Sequence, residues 1–182
     1  MDEIEVHRPD SARPIAVATW VTAALMASGQ LLAGPFDEAS TYAVLTGLVF
    51  VAALAWVTMW RPAVEVAPHG VVLRNPLRTV LVTWPALVEV DGRLGLRLAT
   101  GERRWSAWAA GPPAGRARRQ GLPGDAALAV SARWDDLRDR GLLEAGTVEG
   151  SGVRVHRDRH AARVLGGAAL LFGAALAVWL LA

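Results

Sequence analysis

The sequence predicts a membrane protein of the α+β class, with three transmembrane helices and a small antiparallel β domain between the second and third. Three observations lead there. Residues 15–33, 41–60 and 164–182 contain no Asp, Glu, Lys, Arg or His. Between residues 62 and 110, apolar and polar side chains alternate in short runs separated by turn residues. All 19 Lys-or-Arg positions are arginine, and all but Arg8 and Arg13 lie between Arg61 and Arg163.

A bilayer core of about 30 Å is crossed by about 20 apolar residues rising about 1.5 Å each. Each uncharged run is about that long. A helix buried in a soluble domain keeps a polar face, and these keep none. A signal peptide opens with a basic stretch, whereas this chain opens Met-Asp-Glu-Ile-Glu. The first run is therefore expected to be an uncleaved span. The short loop at 34–40 makes the first two spans an antiparallel hairpin.

Orientation follows the arginines near span ends. Arg8 and Arg13 precede the first span, Arg61 follows the second, and Arg154, Arg157, Arg159 and Arg163 precede the third. The loop between the first two spans offers only Asp37 and Glu38. The expected topology is a cytoplasmic N-terminal tail (1–14), a transmembrane hairpin (15–33 and 41–60) and a cytoplasmic domain (61–141). A juxtamembrane connector (142–163) and a third span (164–182) follow, with the C-terminus outside the inner membrane. Trp20, Trp56, Trp60 and Trp179 sit towards span ends, where indole rings favour the headgroup level. Small residues recur at four-residue spacing in Ala169, Gly173 and Ala177, and in Ala43 and Gly47. Such rows permit close helix contact and a helix-mediated oligomer. The spans hold no Asp, Glu, Lys, Arg or His, which argues against a pump or transporter mechanism.

Within 62–110, strands are expected at 63–67, 70–75, 78–83, 86–91, 94–99 and 102–108. Val80 and Val82 alternate with Thr79, Leu81 and Thr83, and Leu94, Leu96 and Leu98 alternate with Arg93, Gly95 and Arg97. Period two gives one buried and one wetter face. Turn pairs such as His69-Gly70, Asn75-Pro76 and Asp91-Gly92 divide the runs. A helix is expected over 125–140, capped by Asp125 and ended by Gly141. Ala127, Val130, Trp134 and Leu137 share its apolar face. Asp135 with Arg138 and Asp136 with Arg140 are spaced to pair on its wet side. A further strand is expected at 153–155.

The helical hairpin, Asn75-Pro76-Leu77-Arg78-Thr79-Val80, Trp84-Pro85, Gly95-Leu96-Arg97-Leu98 and Ser106-Ala107-Trp108-Ala109 together carry a resemblance. They resemble the bacterial PH-like domains of actinobacterial membrane proteins, and especially the family named for the mycobacterial low molecular weight protein antigen 6. The resemblance covers residues 10–140 and is most specific over 71–109. It implies a PH-like fold, a bent antiparallel sheet of about seven strands closed by a C-terminal helix. It implies no activity and no catalytic residues.

The remaining composition narrows the function classes. There is no cysteine, so disulfides and thiolate metal sites are excluded. A net charge of +2 makes the whole chain no general polyanion binder, and no nucleic-acid motif is present. Arg116, Arg118 and Arg119 cluster in a Gly/Pro-rich loop. Arg154, Arg157, Arg159 and Arg163 crowd the approach to the third span. These seven are the candidate contacts to anionic lipid, each arginine worth about 1 kcal/mol near such a surface. Arg74 and Arg78 flank the Asn75-Pro76 turn and are read as exposed strand arginines. His156 and His160 stand four apart, but neighbouring arginines disfavour a metal. Trp84, Trp105, Trp108 and Trp134 are expected as core or rim anchors. Gly150-Ser151-Gly152 lacks the spacing of a nucleophile elbow, and His156-Arg157-Asp158 lacks every other kinase element. The expectation is a non-enzymatic, membrane-anchored module that needs no cofactor and binds membrane lipid or a protein partner. An accessory subunit of a transporter or envelope-assembly complex is the first alternative, and a lipid-acting enzyme the second.

Overall fold

A computed structural model of the chain describes residues 4–32, 37–111, 119–143 and 152–181. The chain divides into two compact units. One comprises Met1–Pro9 with Pro62–Arg157, the other Asp10–Arg61 with Asp158–Ala182.

The first unit is built on antiparallel strands. A five-stranded sheet has the order β1-β2-β3-β4-β8, and a three-stranded sheet the order β5-β6-β7. The first holds Glu5–His7 (β1), Ala63–Ala67 (β2), Gly70–Asn75 (β3), Arg78–Thr83 (β4) and Val153–Arg157 (β8). The second holds Leu87–Asp91 (β5), Arg97–Thr100 (β6) and Arg104–Ser106 (β7). The expected alternation places Leu73 opposite Val80 and Val71 opposite Val82, all of them fully buried. Leu96, Leu98 and Trp105 join the same core from the second sheet.

The sequence alternates Val88 and Val90 with Glu89 and Asp91, which predicts one face for the two valines, but Val88 lies exposed while Val90 packs against the core. The ladder shifts between Leu87 and Glu89, so Val88 is an extra residue in a bulge. Leu87 turns inward and Val88 outward. The strand expected at 94–99 begins only at Arg97, and Leu94 lies exposed ahead of it.

Helix α3 spans Asp125–Asp139 and packs on β5 and β2. Ala127, Val130 and Leu137 are buried as expected, with Trp134 packed at the margin. Gly124 occupies the N-cap position without a side-chain hydrogen bond, so Asp125 is the first helical residue and not the cap. Gly141 ends the helix with a φ of 67°. Its N–H reaches Arg138 O at 3.0 Å and the Leu142 N–H reaches Leu137 O at 3.0 Å, a paired closure that a left-handed residue permits. Asp136 pairs with Arg140 at 2.7 Å as expected. Its second partner is Arg133, at 3.3 Å. Gly92 lies where α3 comes close, and a Cβ there would sit 2.5 Å from that of Ala127.

Two strands lie outside the expected β domain. β1 falls in the N-terminal tail, where Val6 faces Glu65 across the β2 edge. β8 falls in the expected connector and runs two residues further than 153–155. Together they extend the three-stranded meander β2-β3-β4 on both sides, so the described sheet departs from a single sheet of about seven strands.

The second unit is helical. α1 (Ala12–Leu32), α2 (Glu38–Ala55) and α4 (Arg159–Leu181) are long and apolar enough to cross a membrane, α2 being counted with the π turn Trp56–Trp60 that continues it. α4 begins five residues before the expected 164 because Asp158 caps it: the Ala161 N–H donates to Asp158 Oδ1 at 2.8 Å. α2 and α4 are antiparallel neighbours. Gly47 leaves room for the Phe172 ring, 3.1 Å from where a Cβ would stand, and Phe50 stacks on Phe172 at 6.0 Å. Gly47 of the expected Ala43–Gly47 row thus meets a neighbouring helix. Gly173 has open space beside it, and Ala169 and Ala177 are exposed.

Candidate functional site

Two groups of arginine and tryptophan stand out, one in each unit. In the helical unit, the π turn brings several of them to the end of the bundle where α1 and α4 begin. Arg61 N–H donates to Trp56 O, five residues back, and Thr58 Oγ1 donates to Leu54 O at 2.7 Å. A hydroxyl bonded four residues back bends a helix, and this turn widens. Trp60 lies 5.1 Å from Trp20, and the Arg13 guanidinium lies 5.1 Å over Trp60. The Trp20 N–H donates to Ala52 O at 3.1 Å. Arg61 lies 5.1 Å over Trp56 and forms an ion pair with Asp158. His160 meets Trp56 edge-on at 5.7 Å. The Ala161 N–H, and after it Arg61, hold the Asp158 carboxyl below its ordinary pKa, against the opposing effect of burial. At the other end of the bundle, the Trp179 N–H donates to Ser40 Oγ at 2.9 Å.

In the sheet unit, the turn between β3 and β4 is tied to the end of β7 by one side chain. Asn75 Nδ2 donates to Ser106 O at 3.0 Å, and Asn75 Oδ1 accepts the backbone N–H of Trp108 at 2.7 Å. Asn75 is the register partner of Arg78, and Arg78 is in turn the register partner of Arg157 on β8. Arg78 and Arg103 stand 5.9 and 5.2 Å from the centre of the Trp105 ring. Trp105 is buried, and its N–H has no acceptor among the described residues. Trp108 and Leu77 are 60% and 45% exposed. The group is rich in donors and poor in acceptors, which suits an anion.

The lipid-contact candidates separate into several places. Arg116 and Arg118 lie outside the described residues. Arg119 is exposed. Arg154 and Arg157 are exposed on β8, three apart and hence on opposite faces of the strand. Arg159 opens α4, and Arg163 donates its Nε–H to Arg159 O at 3.2 Å one turn later. Only Arg157 joins the sheet-unit group. Nothing in the spacing of Arg103, Trp105 and Asn75 signals their contact, since almost thirty residues separate Asn75 from Arg103. The ion pair of Arg61 with Asp158 was hidden for the same reason, 97 positions apart.

His156 lies on a strand and His160 on a helix, so they share no helix face. Among the described residues no group of three or more His, Cys, Asp or Glu side chains is placed to hold a metal. No protein-family model, no curated protein and no solved structure matches the chain.

Proposed function

We propose that this chain is a membrane-anchored interaction module whose three helices cross the inner membrane and whose β unit, PH-like in fold, binds anionic lipid or a protein partner on the cytoplasmic side. One observation carries the reading: the helical unit leaves its large apolar side chains outside. Leu25, Leu32, Leu170 and Leu181 are 68%, 85%, 76% and 89% exposed, an arrangement that water penalises and hydrocarbon does not. The arginines near span ends supply the orientation. Support for PH-like architecture is the meander β2-β3-β4, the second antiparallel sheet and the helix α3 that follows it. The chain passes between the two units at Pro9–Asp10, Arg61–Pro62 and Arg157–Asp158, so the sheet unit is tethered to the helices by short covalent connections.

The chain has no cysteine, so single-cysteine labelling tests the topology on a clean background. Glu38→Cys should react with an impermeant maleimide on intact cells, and Ser106→Cys only after lysis. The reverse pattern would overturn the orientation, and release of the chain by alkaline carbonate would overturn membrane insertion.

A second reading is an accessory subunit whose spans are the working interface. The outward row Ala169, Gly173 and Ala177 favours it. Gly173→Leu would then abolish crosslinking to a neighbour in membranes while the chain stays folded. Unchanged crosslinking would remove this reading.

A further inference from the structure

We propose that Arg78, Arg103 and Arg157 form a binding site for the phosphate of an anionic membrane lipid. Three observations converge. Arg78 and Arg157 are directly opposed in an antiparallel pair, where like charges destabilise a sheet. Arg103 comes from the turn between β6 and β7 of the other sheet, and shares the Trp105 ring with Arg78. None of the three has a carboxylate within ion-pair distance among the described residues. Arg74, Arg93, Arg104, Arg133 and Arg140 of the same unit each have one, and Arg97, Arg138 and Arg154, which like the three have none among the described residues, do not share the Trp105 ring or face another arginine in register.

Three arginines brought to one end of the β unit, with no counter-charge among the described residues, suit an external anion, and a phosphate accepts from several such forks at once. The neighbouring side chains select lipid as its source. Leu77 adjoins Arg78 in the turn, and Asn75 holds the Trp108 backbone at the same end of the sheet. An exposed indole and an exposed leucine beside guanidiniums match the headgroup boundary, which is apolar below and anionic above. A freely diffusing phosphate would gain nothing from them. This inference rests on the reading of the protein as bilayer-anchored, and it names the chemistry and the residues that reading leaves open.

The test uses the full chain in non-ionic detergent, with native mass spectrometry counting bound dioleoyl phosphatidylglycerol, dioleoyl phosphatidylcholine or glycerol phosphate. The unsubstituted chain should prefer phosphatidylglycerol. Arg78→Gln, Arg103→Gln and Arg157→Gln combined should weaken that binding about a hundredfold. The same charge loss at Arg93, Arg138 and Arg140 should change it only severalfold. Equal effects of the two triple variants would overturn the site while leaving the anchored module intact. No preference for phosphatidylglycerol in the unsubstituted chain would overturn both this site and the lipid branch of the proposed function. Glycerol phosphate binding as tightly as the lipid would overturn the lipid source. Phenylglyoxal labelling of the unsubstituted chain serves if the triple variant does not fold. Phosphatidylglycerol should slow modification of Arg78, Arg103 and Arg157 but not of Arg93, and uniform rates would sink the proposal.

Discussion

Both units use tryptophan beside arginine, and they satisfy them differently. In the helical unit the indole N–H groups of Trp20 and Trp179 have acceptors, and Arg61 has Asp158. In the sheet unit the Trp84 N–H has two acceptors, but among the described residues the Trp105 N–H has none and Arg78 and Arg103 beside its ring have no carboxylate. Apolar side chains are handled in the opposite sense. The sheet unit buries Leu73, Leu96 and Leu98 almost completely, while the helical unit buries little beyond alanines and Val57. The difference follows from the surroundings each unit suits. In hydrocarbon a polar group without a partner is expensive and an exposed leucine is not. In water an exposed leucine is the expensive one, while a buried N–H such as that of Trp105 stays costly in either surroundings.

The largest expected effect separates the two treatments of leucine. Leu98→Ala removes a fully buried side chain and should cost the sheet unit about 2–5 kcal/mol. Leu170→Ala, on the outer face of α4, should change stability by about 0.5 kcal/mol or less. Denaturant unfolding in micelles, followed by proteolysis of each unit, checks both. A large loss at Leu170 would mean that its face is covered.

Next comes the close helix contact. Gly47→Leu would drive a side chain into Phe172 and should cost about 1–3 kcal/mol through overpacking. Gly173→Leu, with open space around it, should leave the unfolding midpoint of the isolated chain unchanged. Comparable losses at both glycines would show that α4 presents a different face to α2.

Asp158→Ala removes the α4 cap and the Arg61 partner together, and should cost about 1–2 kcal/mol. Its pH dependence has a definite sign. The native carboxyl titrates below the ordinary value of 3.8, so its stabilisation is present in full above that value and is lost as pH falls below it. An acid-unfolding series should show a shallower acid limb for Asp158→Asn. An identical limb would show that the carboxylate contributes nothing.

The smallest effect distinguishes two buried indoles. The Trp84 N–H donates to Ala67 O and Pro68 O, both at 3.1 Å, and Trp84→Phe should cost about 1 kcal/mol beyond the change in packing. Trp105→Phe deletes a buried N–H that has no acceptor among the described residues, and should be neutral or slightly stabilising by comparison. A matched pair of thermal melts reads the difference. A greater loss at Trp105 would show that its N–H is bonded.

Much of the framework was legible because local pattern and burial agree. The period-two runs around Val71–Leu73 and Val80–Val82 can bury one face in only one register. The apolar face of α3 emerged from 3.6-residue periodicity alone. Other features were not legible. β1 is a short strand of mixed polarity, and only the free edge of Val64–Val66 makes it a strand. The bulge at Val88 inverts a correct alternation through one extra residue. The π turn at Trp56–Trp60 lies inside an apolar run that reads as regular helix. At the candidate site, Arg157 was legible as a surface arginine, but its position opposite Arg78 depends on a pairing that closes over about seventy residues.

From the residues alone follow three helices fit for hydrocarbon, the strands of the meander, and a helix with one apolar face. Each of these depends on residues close together in the chain, where spacing alone sets which side chains share a surface. Tertiary structure alone decided that the N-terminal strand and β8 extend the sheet, that Asp158 meets Arg61, and that Arg78, Arg103 and Arg157 converge on one end of the β unit. Those contacts join segments distant in sequence, and only the register of the strands and the packing of the helices bring them together.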